Sequence, residues 1–207
     1  MKLLVASGNL GKVKEIGEIV RKIDKNAEIL SLKDIFDVVP DIPENARNFT
    51  GNALAKANWL AERFKDSWIL SDDSGLVVDK LKGRPGVHSA RFAGEPKDDK
   101  KNIEKLLNEM KKYTAKDDRK AHFCCAMVLL APNSEKSFVA IGKCQGRIAL
   151  EESGVSGFGY DPIFVPDGYE HTFAELSSSI KNKISHRAKA LEILTDILED
   201  IVNGGEK

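Results

Sequence analysis

KLLVASGNLGKVKEIGEIVRKIDKNAEILSL, residues 2–32, changes its hydrophobic period twice. Lys2–Ala6 is a short apolar run that reads as a strand. Val13, Ile16, Ile19, Val20 and Ile23 then recur at helical spacing, with Lys14, Glu15, Glu18 and Arg21 between them. Ala27–Leu32 returns to an extended pattern. A strand–helix–strand opening of this kind belongs to an α/β sheet. Outward from it, the Pro-containing segment 39–48 is a loop, and Thr50 is placed to cap a helix with Leu54, Ala57, Leu60, Ala61 and Phe64 on one face. Trp68–Ser71 reads as a strand running into Asp72-Asp73-Ser74-Gly75, with Leu76–Leu81 extended beyond it. A loop rich in Gly and Pro precedes a charged helix over about 98–113. Ala121–Ala131 and Ser137–Ile148 read as adjacent strands joined by a Pro-Asn-Ser turn. Residues 153–161 form a Gly- and Ser-rich loop, and Ser185–Val202 an amphipathic closing helix. Alternating elements followed by neighbouring strands predict a mixed α/β sheet in a single domain over 1–207, with room for two lobes.

Composition narrows the class. The 207 residues suffice for one sizeable core, and 42% hydrophobic with 31% charged residues is ordinary for a soluble globular chain. Thirty-two Lys and Arg balance thirty-two Asp and Glu, so nothing points to a nucleic-acid or anionic-membrane partner. No basic leader precedes an apolar run at the start, and the longest apolar stretch, near Phe123–Ala131, is about half of the ~20 residues a membrane span needs. The expectation is a cytoplasmic protein. Cys124, Cys125 and Cys144 form neither a CxxC pair nor an even framework and read as buried thiols. Gln145 is the sole glutamine beside abundant Lys and Glu, a bias of heat-adapted proteins.

Four segments carry candidate chemistry. Ser7-Gly8-Asn9-Leu10-Gly11-Lys12 joins the first strand to the first helix, where open N–H groups and the helix dipole favour anions and Lys12 adds a full charge. It is neither a Walker A loop nor a three-glycine dinucleotide fingerprint, and a tight structural turn explains it equally well. Asp72 and Asp73 are natural oxygen ligands for Mg²⁺ and could orient or deprotonate a water, although Asp-Asp-Ser-Gly is also good turn chemistry. Glu44 is a candidate second ligand. Ser185 is placed to cap the last helix, yet His186 and Arg187 occupy its first turn, with Lys181 and Lys183 just upstream. Exposed cations there oppose the helix dipole at about 0.3–1 kcal/mol each, so removing Arg187 is expected to raise thermal stability. Such local conflict concentrates at functional sites; a solvated basic edge is the plainer alternative. Finally, Gly157-Phe158-Gly159-Tyr160-Asp161-Pro162 offers two glycines for close approach, two aromatic faces for a flat base and the acceptor Asp161.

Together the segments resemble the inosine triphosphate pyrophosphatase family. The resemblance rests on Ser-Gly-Asn-Leu-Gly-Lys at 7–12, Asn-Ala-Leu-Ala-Lys at 52–56, Ser-Asp-Asp-Ser-Gly-Leu at 71–76 and Pro-Gly-Val-His-Ser-Ala-Arg at 85–91. Gly-Phe-Gly-Tyr-Asp-Pro at 157–162 and Lys-Asn-Lys-Ile-Ser-His-Arg at 181–187 complete an ordered series from the first strand to the last helix. The resemblance implies an elongated mixed α/β fold flanked by helices, its two lobes enclosing a deep active-site cleft, and a homodimer. It implies Mg²⁺-dependent hydrolysis of inosine, deoxyinosine and xanthosine triphosphates to monophosphate and pyrophosphate. Ser7, Gly8, Asn9, Leu10, Gly11, Lys12 and Lys56 would hold the triphosphate. Asp73 would be proton acceptor and metal ligand, with Glu44 as the variable-loop ligand. Ser74 would touch substrate, and Phe158, Gly159, Tyr160, Asp161, Lys181, His186 and Arg187 would form the base pocket. Donors there suit a 6-keto oxygen and would be left unpaired by adenine.

Three alternatives compete. A Maf-type pyrophosphatase would turn over pyrimidine or modified-base nucleotides. A Nudix hydrolase would need a Glu-rich helix of the R-E-x-x-E-E type, which the sequence lacks. A nucleotide sensor without chemistry would avoid carboxylates beside the phosphates.

Overall fold

Leu3, Leu4, Val5 and Ala6 are all buried, as a parallel strand covered on both faces requires. In the computed structural model, which describes residues 1–202, this run is β1 (Lys2–Val5), followed by α1 (Leu10–Ile23) and β2 (Glu28–Ser31). A short α2 (Leu32–Ile35), α3 (Phe49–Ala61), β3 (Trp68–Val78), α4 (Asp99–Met110), β4 (Lys120–Leu130) and β5 (Ser137–Ile148) come next. The chain ends with β6 (Phe164–Pro166), α5 (Ser178–Ile184) and α6 (His186–Val202). The strands form one mixed sheet in the order β2-β1-β3-β4-β5-β6. β1 pairs in parallel with β2, Leu3 opposite Ile29, and in parallel with β3, Leu3 opposite Trp68. β5 and β6 are antiparallel, Arg147 opposite Val165. No helix among the described residues is long and apolar enough to cross a membrane.

The described residues divide into two compact units: Met1–Asp73, Cys125–Gly142 and the described residues from Arg187 on form the first, Ser74–Cys124 and Lys143–His186 the second. Strands β3, β4 and β5 contribute residues to both. In the first unit, alternation along β1 sends Leu3 and Val5 into a core with Ile16 and Val20 of α1 and Leu191, Leu194 and Leu198 of α6. Leu4 and Ala6 enter the opposite core, with Ala53, Ala57 and Leu60 of α3. In the second unit, Leu106 and Met110 of α4 pack with Leu76, Val78 and a cluster of Phe123, Phe164 and Phe173. The Phe123 and Phe164 ring centroids are 4.7 Å apart. Beneath that core the buried Arg119 donates to the carbonyls of Ile148, Met110, Tyr113 and Ala149, which satisfies a guanidinium that would otherwise be costly to bury.

β3, α3 and the closing helical segment differ from the sequence reading. Asp72-Asp73-Ser74-Gly75 is not a turn: β3 runs through it without a break. Asn48, not Thr50, caps α3, its side chain accepting from Gly51 N. The buried face of α3 is Asn52, Ala53, Lys56, Ala57 and Leu60, while Leu54 is exposed. Two polar residues occupy inward positions, so the apolar pattern alone places the stripe one residue off. The closing helix is preceded by α5, separated from α6 by the single extended residue Ser185. Lys181, Asn182 and Lys183 hide that helix from a hydrophobicity reading.

Candidate functional site

Alternation in β3 sends Ile69, Ser71 and Asp73 to the α3 side and Leu70 and Asp72 to the side of α1 and α6. Ser71 Oγ donates to the Ala53 carbonyl of α3 at 2.6 Å, and Asn52 Nδ2 of α3 donates to Asp73 Oδ2 at 2.9 Å. Asp72 instead meets Lys12 Nζ of α1 at 3.0 Å and Arg187 Nη2 of α6 at 3.2 Å. The adjacent carboxylates, expected as a ligand pair, therefore engage different elements, because strand geometry points neighbours to opposite faces. Glu44 joins the Asp73 side: Lys56 Nζ lies 2.8 Å from Glu44 Oε1 and 3.9 Å from Asp73 Oδ1.

Charge separates the two aspartates further. Burial pushes Asp72 upward, but Lys12, Arg187 and Lys56 outweigh it and hold the carboxyl well below the usual range. For Asp73 burial wins over Lys56, Lys12 and the Asn52 hydrogen bond, and its carboxyl is raised. Lys56 is also raised, since Asp72, Glu44 and Asp73 overcome its own desolvation. One aspartate is thus a fixed anion and the other the more basic carboxylate.

The Ser7–Lys12 segment begins α1 as expected, but its amides are not all open. Asn9 is the N-cap, and its Oδ1 accepts from Gly11 N at 2.9 Å and Lys12 N at 3.3 Å; Ser7 Oγ accepts from Asn9 N at 3.2 Å. Side-chain capping thus uses the amides of Asn9, Gly11 and Lys12. Gly8 passes close to the 39–48 loop, where an added Cβ would stand 3.0 Å from Val39 Cγ1. Leu10 projects into solvent.

In the second unit Asp161 organises the Gly157–Asp161 loop. Its Oδ2 accepts from Phe158 N at 2.9 Å and Lys181 Nζ at 2.6 Å. Gly157 has φ +84°, and a Cβ there would fall 2.2 Å from Asp161 Oδ2, so glycine is required twice over. Lys181 Nζ stands 4.8 Å from the Phe158 ring centroid. Gly159 N donates to Asp99 Oδ2 at 2.8 Å. Tyr160 is not a stacking face: it is buried in the core, with its hydroxyl donating to the Ser89 carbonyl at 2.8 Å and its ionisation pushed up by burial. Lys181 and Phe158 both use the Oδ2 of Asp161. Phe158, half-buried, is the aromatic of this loop that a base could reach. Ser74 is likewise half-buried.

Lys181, His186 and Arg187 are 6%, 4% and 1% exposed, which excludes a solvated basic edge. Lys181 pairs with Asp161, the His186 ring stacks on Phe123 with centroids 4.7 Å apart, and Arg187 pairs with Asp72 and Glu15. Sequence reasoning passed over Glu15, Asn52 and Asp99. Glu15 looked like a polar spacer on α1, although it lies three residues after Lys12. Asn52 and Lys56, four apart, share one face of α3, a spacing that was available as a signal.

Buried carboxylates paired with lysine and arginine beside one strand of a mixed α/β sheet mark a functional site rather than a plain core. The chain belongs to the Ham1 family, whose sequence profile matches residues 3–197. A dITP/XTP pyrophosphatase of Oceanobacillus iheyensis is 44% identical over 200 residues, covering 97% of this chain and 99% of the relative. One of Clostridium perfringens is 46% identical over 207 residues, covering 97% and 98%. Among solved structures, the Ham1 protein of Staphylococcus aureus superposes with a TM-score of 0.82 at 34% identity, covering 100% of both chains. The nucleoside-triphosphatase/dITP/XTP pyrophosphatase of Mycobacterium abscessus reaches 0.72 at 39% identity, covering 94% of this chain and 98% of its own.

Proposed function

We propose that this chain hydrolyses non-standard purine nucleoside triphosphates, those of inosine, deoxyinosine and xanthosine, to the monophosphate and pyrophosphate, and so clears them from the cytoplasmic nucleotide pool. The observation that carries the reading is the pair Asp72 and Asp73, one held as a fixed anion among Lys12 and Arg187, the other raised beside Glu44 and Lys56. Family membership and the names of the relatives point the same way.

Mg²⁺ takes one or two protein carboxylates and completes its shell with water and substrate phosphates. Glu44 and Asp73 fit that demand: an oxygen-only, anionic pair with the Lys56 ammonium between them, where a cation is already favoured. Among the described residues no group of three or more His, Cys, Asp or Glu suits a metal, so an all-protein cage is not the alternative. Bound there, Mg²⁺ would supply charge for the α-phosphoryl oxygens and the leaving pyrophosphate. Lys12 and Lys56, with the Ser7–Lys12 segment, hold the β- and γ-phosphates. Asp73 takes the proton of the attacking water, its carboxylate held in place by the Asn52 amide. Ser74 touches the substrate.

Lys181 and His186 read the base as donors to a 6-keto oxygen, with the Phe158 ring for stacking. Asp161 fixes Lys181, and Asp72 with Glu15 fixes Arg187. An adenine 6-amino group would leave these donors unpaired, a mismatch that discriminates by orders of magnitude. The reading includes the homodimer that the family resemblance implies. A pyrophosphate-release assay over inosine, xanthosine, adenosine, guanosine and cytidine triphosphates with Mg²⁺ tests it. Turnover concentrated on the first two supports it; equal turnover of adenosine triphosphate, or preference for a pyrimidine, refutes it.

A further inference from the structure

We propose that Asn52 is a positioning residue that sets the spacing between Asp73 and the loop bearing Glu44, resting on the reading of those two carboxylates as the metal site. Its side chain is buried and makes two bonds in opposite directions. Asn52 Nδ2 donates to Asp73 Oδ2 at 2.9 Å, and Ala46 N donates to Asn52 Oδ1 at 2.8 Å. The amide fits only one way round, since a carboxylate can only accept from it and a backbone N–H can only donate to it.

Ala46 lies two residues from Glu44. The same face of α3 carries Lys56, four residues on, which holds the Glu44 carboxylate itself at 2.8 Å. Glu44 is therefore fixed twice from one helix, by its loop backbone through Asn52 and by its side chain through Lys56. Asp73 is held by the first of these on its Oδ2, with its Oδ1 3.9 Å from Lys56 Nζ. One planar amide thus spans a strand carboxylate and a loop that regular secondary structure does not secure, as residues 37–47 contain none.

The neighbouring glycine is part of the device. A Cβ on Gly51 would stand 2.6 Å from Ala46 Cβ, so the loop could not approach α3 closely enough for the Ala46 amide to reach Asn52. Gly51 and Asn52 have different roles: the glycine admits the loop, and the amide locks it. Groups that orient ligating carboxylates typically govern metal affinity or activity by about 10- to 100-fold.

The test uses the full-length protein as N52A, G51A, D73N and E44Q variants. Mn²⁺ affinity is read by electron paramagnetic resonance, hydrogen exchange at the Ala46 amide by NMR, and pyrophosphate release from inosine triphosphate across a Mg²⁺ titration. N52A should weaken Mn²⁺ binding and raise the half-saturating Mg²⁺ concentration by about 10- to 100-fold, with faster exchange at Ala46. G51A keeps the buried amide and pushes the loop away, so it should shift the same quantities in the same direction even if N52A does not fold. Unchanged metal affinity in folded N52A, or in G51A with Ala46 exchange accelerated, overturns the proposal and leaves Asn52 a structural residue. D73N and E44Q separate the two readings: if both lose Mn²⁺ binding while N52A and G51A do not, the positioning role alone fails. If neither carboxylate variant loses it, the metal-site reading fails first and the proposal with it.

Discussion

Replacing Arg187 with Ala isolates the consequence of placing a cation at the start of a helix. Judged by the helix dipole alone, losing that charge should stabilise the protein by about 0.3–1 kcal/mol. Burial reverses the sign. Arg187 is 1% exposed and pairs with Asp72 and Glu15. Removing one member of a buried ion pair costs about 3–5 kcal/mol, because the remaining charge keeps its desolvation penalty. Asp72 retains Lys12 at 3.0 Å, which puts the loss at the lower end, about 3 kcal/mol. Subtracting roughly 0.5 kcal/mol for the relieved dipole leaves about 2.5 kcal/mol. For a chain of this length each kcal/mol lowers Tm by about 2–4 °C, so the expected drop is about 5–10 °C. Differential scanning calorimetry measures it. The R187A/D72N double variant should lose less than the sum of the two singles, since each single strands the other's charge. An unchanged or raised Tm for R187A, or strict additivity, would refute the argument that this guanidinium is anchored by the aspartate.

The other predictions concern single groups. Gly157→Ala sets a Cβ 2.2 Å from Asp161 Oδ2 at φ +84° and should displace Phe158 and Lys181, narrowing the preference for inosine over adenosine triphosphate; an unchanged ratio of kcat/KM values counts against the loop's role. Asp73→Asn should keep the fold while turnover falls at least about 10²-fold, measured by pyrophosphate release beside circular dichroism; near-normal turnover removes Asp73 from the reaction. Chelation with EDTA should silence the native enzyme. Glu175 is lowered to about 2 from 4.5, first by the Thr172 amide and then by the Ser153 hydroxyl. Its depressed carboxyl contributes stability that is complete above pH 4.5 and lost as pH falls toward 2. Urea midpoints of wild type and Glu175→Gln should therefore differ at pH 6 and converge near pH 2; a constant gap contradicts the assignment.

What could be read from the residues follows from which forces dominate locally. β1, α1 and β5 were legible because their burial follows a simple period: Ser137–Ile148 matches to the residue. α3 and α5 were blurred because the polar residues Asn52, Lys56 and Lys181 sit where apolar ones would signal the buried face. The Asp-Asp-Ser-Gly segment resembled a turn because isolated propensity cannot register that Lys12, Lys56 and Arg187 compensate two carboxylates inside a strand. The same limit hid Glu15 and Asn52, whose partners are 172 and 21 residues away in sequence. The conflict at His186 and Arg187 was visible, but its resolution was not. It needed Asp72, Glu15 and Phe123, which only the folded chain supplies.

Which phosphorus is attacked tests the central claim most directly. Lys12 and Lys56 holding the β- and γ-phosphates would leave the α-phosphorus beside Asp73, with pyrophosphate as leaving group. Incubation with inosine triphosphate and Mg²⁺ in ¹⁸O-labelled water, followed by mass spectrometry, should give inosine monophosphate and pyrophosphate in equal amounts, with the label in the monophosphate. Label in pyrophosphate alone would mean attack at the β-phosphorus, and inosine diphosphate with labelled orthophosphate would mean attack at the γ-phosphorus. Either result contradicts the account.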